Sequence, residues 1–170
     1  VYKRQQKQLP LKLKLWNEQD GICLYSGKTI DPNDIINNPQ LFEIDHIIPR
    51  SISFDDARSN KVLVYRSENQ KKGNQTPYYY LTHSHSEWSF EQYKATVMNL
   101  SKKKEYAISR KKIQNLLYSE DITKKDVLKG FINRNINDTS YASRLVLNKI
   151  QNFFMANKAD TKVKVIKGSY

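Results

Sequence analysis

The spacing of hydrophobic and polar positions changes along the chain, and two short stretches stand out as β. Leu41-Phe42-Glu43-Ile44-Asp45-His46-Ile47-Ile48-Pro49 is an apolar run closed by a proline, the pattern of a strand with an irregular end. Lys61-Val62-Leu63-Val64-Tyr65 is the clearest β run. Ser67-x-x-Gln70 has the form of a capping box, so a short helix is predicted from Ser67 to a stop at Gly73-Asn74. Upstream, Gln5 to Gln19 reads as a helix interrupted near Pro10, with Leu11, Leu13, Leu15 and Trp16 on an imperfect apolar face and Asp20-Gly21 as its stop. Ile22 to Tyr25 is short and β-like, Ser26-Gly27-Lys28 is a turn, and Asp31 to Asn38 is a helical turn or loop led by Pro32. Ser51 to Ser59 reads as a loop.

Beyond Pro77 the period becomes helical. Ser89 to Leu100, Ile108 to Tyr118, Thr123 to Arg134 and Thr139 to Met155 are predicted helices, and Thr161 to Ile166 alternates as a terminal strand. The skeleton is strand, loop, strand, short helix, set in a mostly helical chain. That is an α+β fold, with a two-stranded sheet and a short helix surrounded by helices.

Composition narrows the class of molecule. A length of 170 residues suits one globular domain with room for an appended arm. A single Cys excludes an internal disulfide and a four-Cys zinc site. No apolar run approaches the roughly 18 residues of a membrane span, and the first fourteen residues lack a signal-peptide core. The chain opens on Val1, which reads as a piece of something larger. The net charge of +12 favours nucleic acid, an anionic membrane surface or an acidic protein as partner. Residues 1–80 carry 12 basic and 9 acidic side chains, net +3, against 17 and 8, net +9, over residues 81–170. The second half therefore reads as an electrostatic handle, or as solvated basic helices, and the acidic groups of the first half gather around a candidate site.

Asp45-His46 ends the first strand, Asn60 follows a loop, and Asn69 falls in the first turn of the short helix. Phosphodiester hydrolysis asks for a hard cation against the phosphate and a base for the attacking water. Asp45 and the Asn69 carbonyl offer the one or two protein oxygens that Mg²⁺ accepts. His46 offers an imidazole, whose unperturbed pKa near 6.5 suits a base at neutral pH. Neighbouring strand residues face opposite sides, so Asp45 and His46 share one site only where the strand end twists or bulges. Taken singly, the Asp-His pair also reads as a hydrogen-bonded turn, and the two Asn as turn and helix-start residues. Lys71 and Lys72 follow the candidate ligand directly and read as phosphate contacts, with Lys61 as a third. Cys23 reads as a small buried hydrophobe, His83-Ser84-His85 as a solvent loop before a metal site, and Tyr78-Tyr79-Tyr80 as either packing or base stacking.

The order of these segments resembles a known family. Phe42-Glu43-Ile44-Asp45-His46-Ile47-Ile48-Pro49, Phe54-Asp55-Asp56, Asn60-Lys61-Val62-Leu63-Val64 and Glu68-Asn69-Gln70-Lys71-Lys72-Gly73-Asn74-Gln75-Thr76-Pro77 resemble an HNH nuclease motif. More narrowly they resemble the HNH domain of the compact type II CRISPR effector nucleases, CRISPR-associated protein nine. Cys23-Leu24-Tyr25-Ser26-Gly27-Lys28 is similar to that family's first hairpin, and Asn135-Ile136-Asn137-Asp138-Thr139-Ser140-Tyr141-Ala142 to its helix returning to the RuvC-like domain.

The resemblance implies a ββα-metal core and three regions: a leading linker helix at 1–18, the HNH nuclease domain at 19–128, and an exit linker helix with a terminal strand at 129–170. It implies a metal-dependent endonuclease that cuts the DNA strand paired to a guide RNA, leaving 3′-hydroxyl and 5′-phosphate ends. His46 would be the base, Asp45 and Asn69 the ligands of one Mg²⁺, with Mn²⁺ as a substitute, and Asn60 the residue that steadies the loop. One Cys where stand-alone HNH proteins carry paired Cys-x-x-Cys motifs implies no structural zinc. In such effectors base pairing reads the sequence and docking of the HNH domain licenses cleavage. The implied partners are guide-paired target DNA, the RuvC-like and recognition parts of a parent protein and a phage-encoded inhibitor, with no membrane, in a prokaryotic cytoplasm. The alternatives are a stand-alone HNH endonuclease of restriction or homing type and a non-catalytic basic nucleic-acid-binding module.

Overall fold

The computed structural model describes residues 2–84 and 87–156. The chain divides into two units, Val1–Lys124 and Lys125–Tyr170. The first unit is built on an antiparallel pair, β1 (Phe42–His46) and β2 (Lys61–Tyr65), in the register Phe42↔Tyr65 to His46↔Lys61. β2 buries Val62, Leu63 and Val64 in succession, so both of its faces are covered. Around this pair lie α1 (Tyr2–Glu18), α2 (Pro32–Asn37), α3 (Arg50–Ser53), α4 (Arg66–Lys72), α5 (Pro77–His83), α6 (Phe90–Ser101) and α7 (Arg110–Leu116). The α+β, mostly helical reading therefore stands, and β2 and α6 fall where the sequence pattern puts them. At α6 the pattern is explicit: Ser89 and Gln92 form a reciprocal capping box.

Four elements differ from the sequence reading. α1 runs unbroken through Pro10. Pro10 removes one backbone bond, but the turns beyond it are pinned. Leu15 is fully buried, Lys12 Nζ donates to the carbonyls of Pro39 and Phe42 at 2.8 Å each, and Trp16 Nε1 donates to the Ile30 carbonyl at 2.7 Å. α4 starts at Arg66, and Ser67 caps nothing. β2 passes straight into it because Tyr65 is fixed at the junction, its hydroxyl on the Thr29 carbonyl at 2.7 Å and its ring 5.0 Å from that of Phe42. The loop after β1 contains α3 and a 3-10 turn, Arg58–Asn60.

The second unit is one helix over its described residues, α8 (Lys125–Ala156), where two helices were expected. Asn135–Asp138 holds no Pro or Gly, and Thr139, expected near a new start, bonds its hydroxyl back to the Asn135 carbonyl at 2.8 Å. The expected strand Thr161 to Ile166 lies outside the described residues. Among the described residues no helix is long and apolar enough to cross a membrane.

Gln19 completes the sheet from outside. Its side chain accepts from Leu63 N–H at 2.7 Å and donates to the Leu63 carbonyl at 2.8 Å, satisfying the free edge of β2 as a neighbouring strand would. The turn that follows contains Gly27, at φ +68°, where an added Cβ would lie 2.4 Å from Cε3 of Trp88. Trp88 cannot easily yield, because its indole N–H is held on the Leu24 carbonyl at 2.9 Å. Gly27→Ala is expected to lose about 2 kcal/mol, read as a fall in thermal midpoint, from left-handed backbone strain and overpacking together. An unchanged midpoint would show that the turn adapts.

Candidate functional site

Strand pleating puts Glu43 and Asp45 on one face of β1 and Ile44 and His46 on the other. α4 lies along the first face. Asn69 Nδ2 donates to Glu43 Oε2 at 2.7 Å, and three residues on, Lys72 Nζ pairs with Asp45 Oδ2 at 2.8 Å. Lys72 also donates to the His46 carbonyl at 3.1 Å. From the turn after α1, the Tyr25 hydroxyl donates to the same Asp45 Oδ2 at 2.7 Å. Tyr25, Asp45 and Lys72 are all buried. Burial first, and then the Asp45 charge, push the Tyr25 hydroxyl well above its ordinary range, so it stays a proton donor. Burial pushes the Lys72 ammonium down, and Asp45 opposes this in part.

His46 has a separate set of partners. Its Nε2 lies 2.8 Å from Asp56 Oδ1, and Lys61 Nζ lies 2.9 Å from the same oxygen. The bond to His46, then that to Lys61, lower the Asp56 carboxyl to about 2. β1 keeps its regular pairing through His46↔Lys61, so there is no bulge at that end, and a shared site for the two side chains depends on the strand's twist. What joins the two sets is Lys72, which touches the Asp45 carboxylate and the His46 backbone together.

Asn60, fully buried, clamps the strand's exit. Its Oδ1 accepts from Ile48 N–H at 2.9 Å, and its Nδ2 donates to the Ile48 carbonyl at 2.9 Å, to the Asp55 carbonyl at 3.0 Å and to Ser53 Oγ at 3.3 Å. Its own carbonyl accepts from Ile47 N–H at 2.9 Å.

The donor set fits a hard divalent cation. Both bonds to Asp45 end on Oδ2, and neither Asp45 Oδ1 nor the Asn69 side-chain oxygen takes a hydrogen bond from the described residues. These are a carboxylate and a carboxamide oxygen, with the Glu43 carboxylate beside them, the ligand type that Mg²⁺ and Mn²⁺ share.

Of the three lysines expected on phosphates, Lys72 is turned inward, with no exposed side-chain surface, because it neutralises Asp45. Lys61 is largely covered and paired with Asp56. Lys71 sits on the outer side of α4, is 64% exposed and pairs with Glu68. Tyr80 packs inside and donates to Glu68 at 2.8 Å, while Tyr79 is exposed and stacked on His83. Cys23 is buried, and burial raises its thiol. Three residues of the site carried no expected role. Glu43 was signalled by its place two residues before Asp45, and Asp56 by its acidic loop. For Tyr25, twenty residues from its partner, local pattern holds no signal.

Two antiparallel strands running into a short helix, with Asp and His from the first strand and Asn from the helix, make a ββα nuclease core. The family model described as HNH endonuclease matches residues 23–78, which span all three elements. The chain is 51% identical over 96% of its length to the CRISPR-associated endonuclease Cas9 1 of Streptococcus thermophilus, and 48% identical over 94% to the CRISPR-associated endonuclease Cas9 of Staphylococcus aureus. A crystal structure of Streptococcus thermophilus Cas9 in complex with AGGA PAM superposes with a TM-score of 0.69 at 50% identity, over 95% of this chain and 15% of that one. The chain belongs to the HNH endonuclease domains of the Cas9 family. It spans 14% and 15% of the length of the two curated relatives.

Proposed function

We propose that this domain, as part of a longer CRISPR effector, cuts the DNA strand paired to a guide RNA. The observation that carries the reading is the juxtaposition on β1 and α4 of Asp45 and Asn69, each with an uncommitted oxygen, inside the segment that matches the HNH model. Asp45 and Asn69 would hold one Mg²⁺, with Mn²⁺ as a substitute. The cation supplies charge neutralisation on the scissile phosphate. His46 takes the proton of the attacking water, and Asp56, ionised at any working pH, orients and balances the imidazole. Asn60 keeps the backbone that follows His46 in place. Lys71, with its exposed ammonium, supplies a sequence-independent phosphate contact. The remaining partners are the RuvC-like and recognition parts of the parent and a phage-encoded inhibitor.

The test is cleavage of a guide-paired DNA strand, by this chain and by the Streptococcus thermophilus relative carrying it in place of its own HNH segment. The two are run with Mg²⁺, with Mn²⁺ and with a chelator, beside Asp45→Ala. Cutting that is lost with the chelator and in Asp45→Ala is expected. Cutting that survives either would remove the cation or Asp45 from the reaction.

A further inference from the structure

Asp45 is a ligand candidate that is buried and, among the described residues, is gripped on one oxygen only. Tyr25 and Lys72 both bind Oδ2, at 2.7 and 2.8 Å, from elements that approach from different parts of the chain. Tyr25 is itself rigid. It is fully buried, its ring packs edge-on against Tyr80 with centroids 6.3 Å apart, and the Lys72 ammonium lies 5.5 Å from its ring centre. Tyr80 in turn is tied to Glu68 on α4 at 2.8 Å. The turn after α1, the strand β1 and the helix α4 thus meet on one carboxylate oxygen, and the other oxygen takes no hydrogen bond from the described residues.

A carboxylate free to rotate about its Cβ–Cγ bond offers a cation two interchangeable oxygens and must lose that freedom on binding. One held by a neutral donor and an ammonium on the same oxygen has lost it already. The two donors differ in what they do to the charge. Lys72 neutralises Asp45 and, taken alone, opposes a second cation. The Tyr25 hydroxyl fixes the same oxygen while leaving the full negative charge in place.

We propose that Tyr25 is a positioning residue for the metal site: its hydroxyl locks Asp45 by Oδ2 and so presents Oδ1 to the cation. The inference rests on the reading of Asp45 as a cation ligand given above. Ligand-orienting partners of this kind are worth about 10- to 100-fold in metal affinity. Because Lys72 still holds the oxygen when Tyr25 is altered, the lower end, about tenfold, is expected here.

The test is Mn²⁺ binding to the whole 170-residue chain, followed by electron paramagnetic resonance without any DNA, for the unaltered chain, Tyr25→Phe and Asp45→Ala. Tyr25→Phe keeps the ring and removes one hydroxyl. About tenfold weaker binding, with an unchanged circular dichroism spectrum, supports the lock. In cleavage, the half-saturating cation concentration should rise by the same factor while the rate at saturating cation is retained, which general loosening of the fold would not produce.

A second measurement needs no variant. The Tyr25 hydroxyl proton, buried and bonded to a carboxylate, should be visible by proton NMR and should move when Mg²⁺ saturates the chain. Unaltered affinity in a folded Tyr25→Phe overturns the inference, as does a hydroxyl resonance indifferent to Mg²⁺. If Asp45→Ala binds Mn²⁺ as the unaltered chain does, the ligand reading itself fails, and that outcome is distinct from a failure of Tyr25 alone.

Discussion

His46→Ala is expected to reduce cleavage of the guide-paired strand by about 10²- to 10⁴-fold, the usual worth of a positioned general base, while leaving the folded domain intact. The structure separates the two effects. The His46 side chain is 24% exposed, it makes none of the bonds that hold Asp45, and its ring is bonded to an exposed carboxylate, Asp56. The bonds that tie the His46 backbone into the fold, its pairing with Lys61 and the Lys72 bond to its carbonyl, do not involve the imidazole. The measurement is a single-turnover cleavage course beside a thermal melt. Cleavage within threefold of the unaltered domain would remove His46 as the base. Asp56 bears on the pH profile of the same experiment. Its carboxyl is depressed to about 2 in the folded state, so its charge persists down to that pH, and any stability that depends on it is full above the ordinary carboxylate range and is lost as pH falls from there through about 2. An acid limb of activity at higher pH is therefore not the titration of Asp56.

How much of this was legible in the sequence follows the range of the interactions. β2 is read correctly because Val62, Leu63 and Val64 announce it locally, and α6 because its capping box spans four residues. The Asp45, His46, Asn60 and Asn69 positions are legible through motif order. What lies between them is not. Lys12, Lys72 and Lys112 look like surface charge in a chain of net +12, yet each is at most 2% exposed. Their partners are remote: Lys12 holds β1 across 30 residues, Lys72 holds His46 across 26, and Lys112 reaches Glu18 across 94. A charge pattern along one segment cannot show such pairings, and it shows the Tyr25 bond no better. Pro10 misleads for the opposite reason. The local rule that breaks a helix there is sound, but the bonds of Lys12 and Trp16 to other segments outweigh it.

Asn60→Ala is expected to be the most destabilising single change among those considered, by about 3 kcal/mol. The side chain bonds both polar groups of Ile48 at once, and Ile48, 2% exposed, has little access to water as a replacement. Removing Asn60 strips Ile48 N–H of its partner, at about 1–3 kcal/mol for a buried group left unmade, leaves the Ile48 carbonyl only the longer bond from Ser53 Oγ at 3.2 Å, and takes a donor from the Asp55 carbonyl that closes the loop. For a unit of this size the thermal midpoint should fall by about 10 °C; a fall under 2 °C would show that water or Ser53 replaces the clamp. The same variant separates Asn60 from the reacting groups. Every polar atom of its side chain is committed inside the loop, so its effect on cleavage must pass through the backbone that carries His46 and Ile48. Cleavage by Asn60→Ala should then recover as temperature is lowered well beneath its midpoint, whereas His46→Ala, intact but without a base, should stay inactive at every temperature. A cleavage defect in Asn60→Ala that persists in the cold, with the fold restored, would put Asn60 among the groups that act on the substrate.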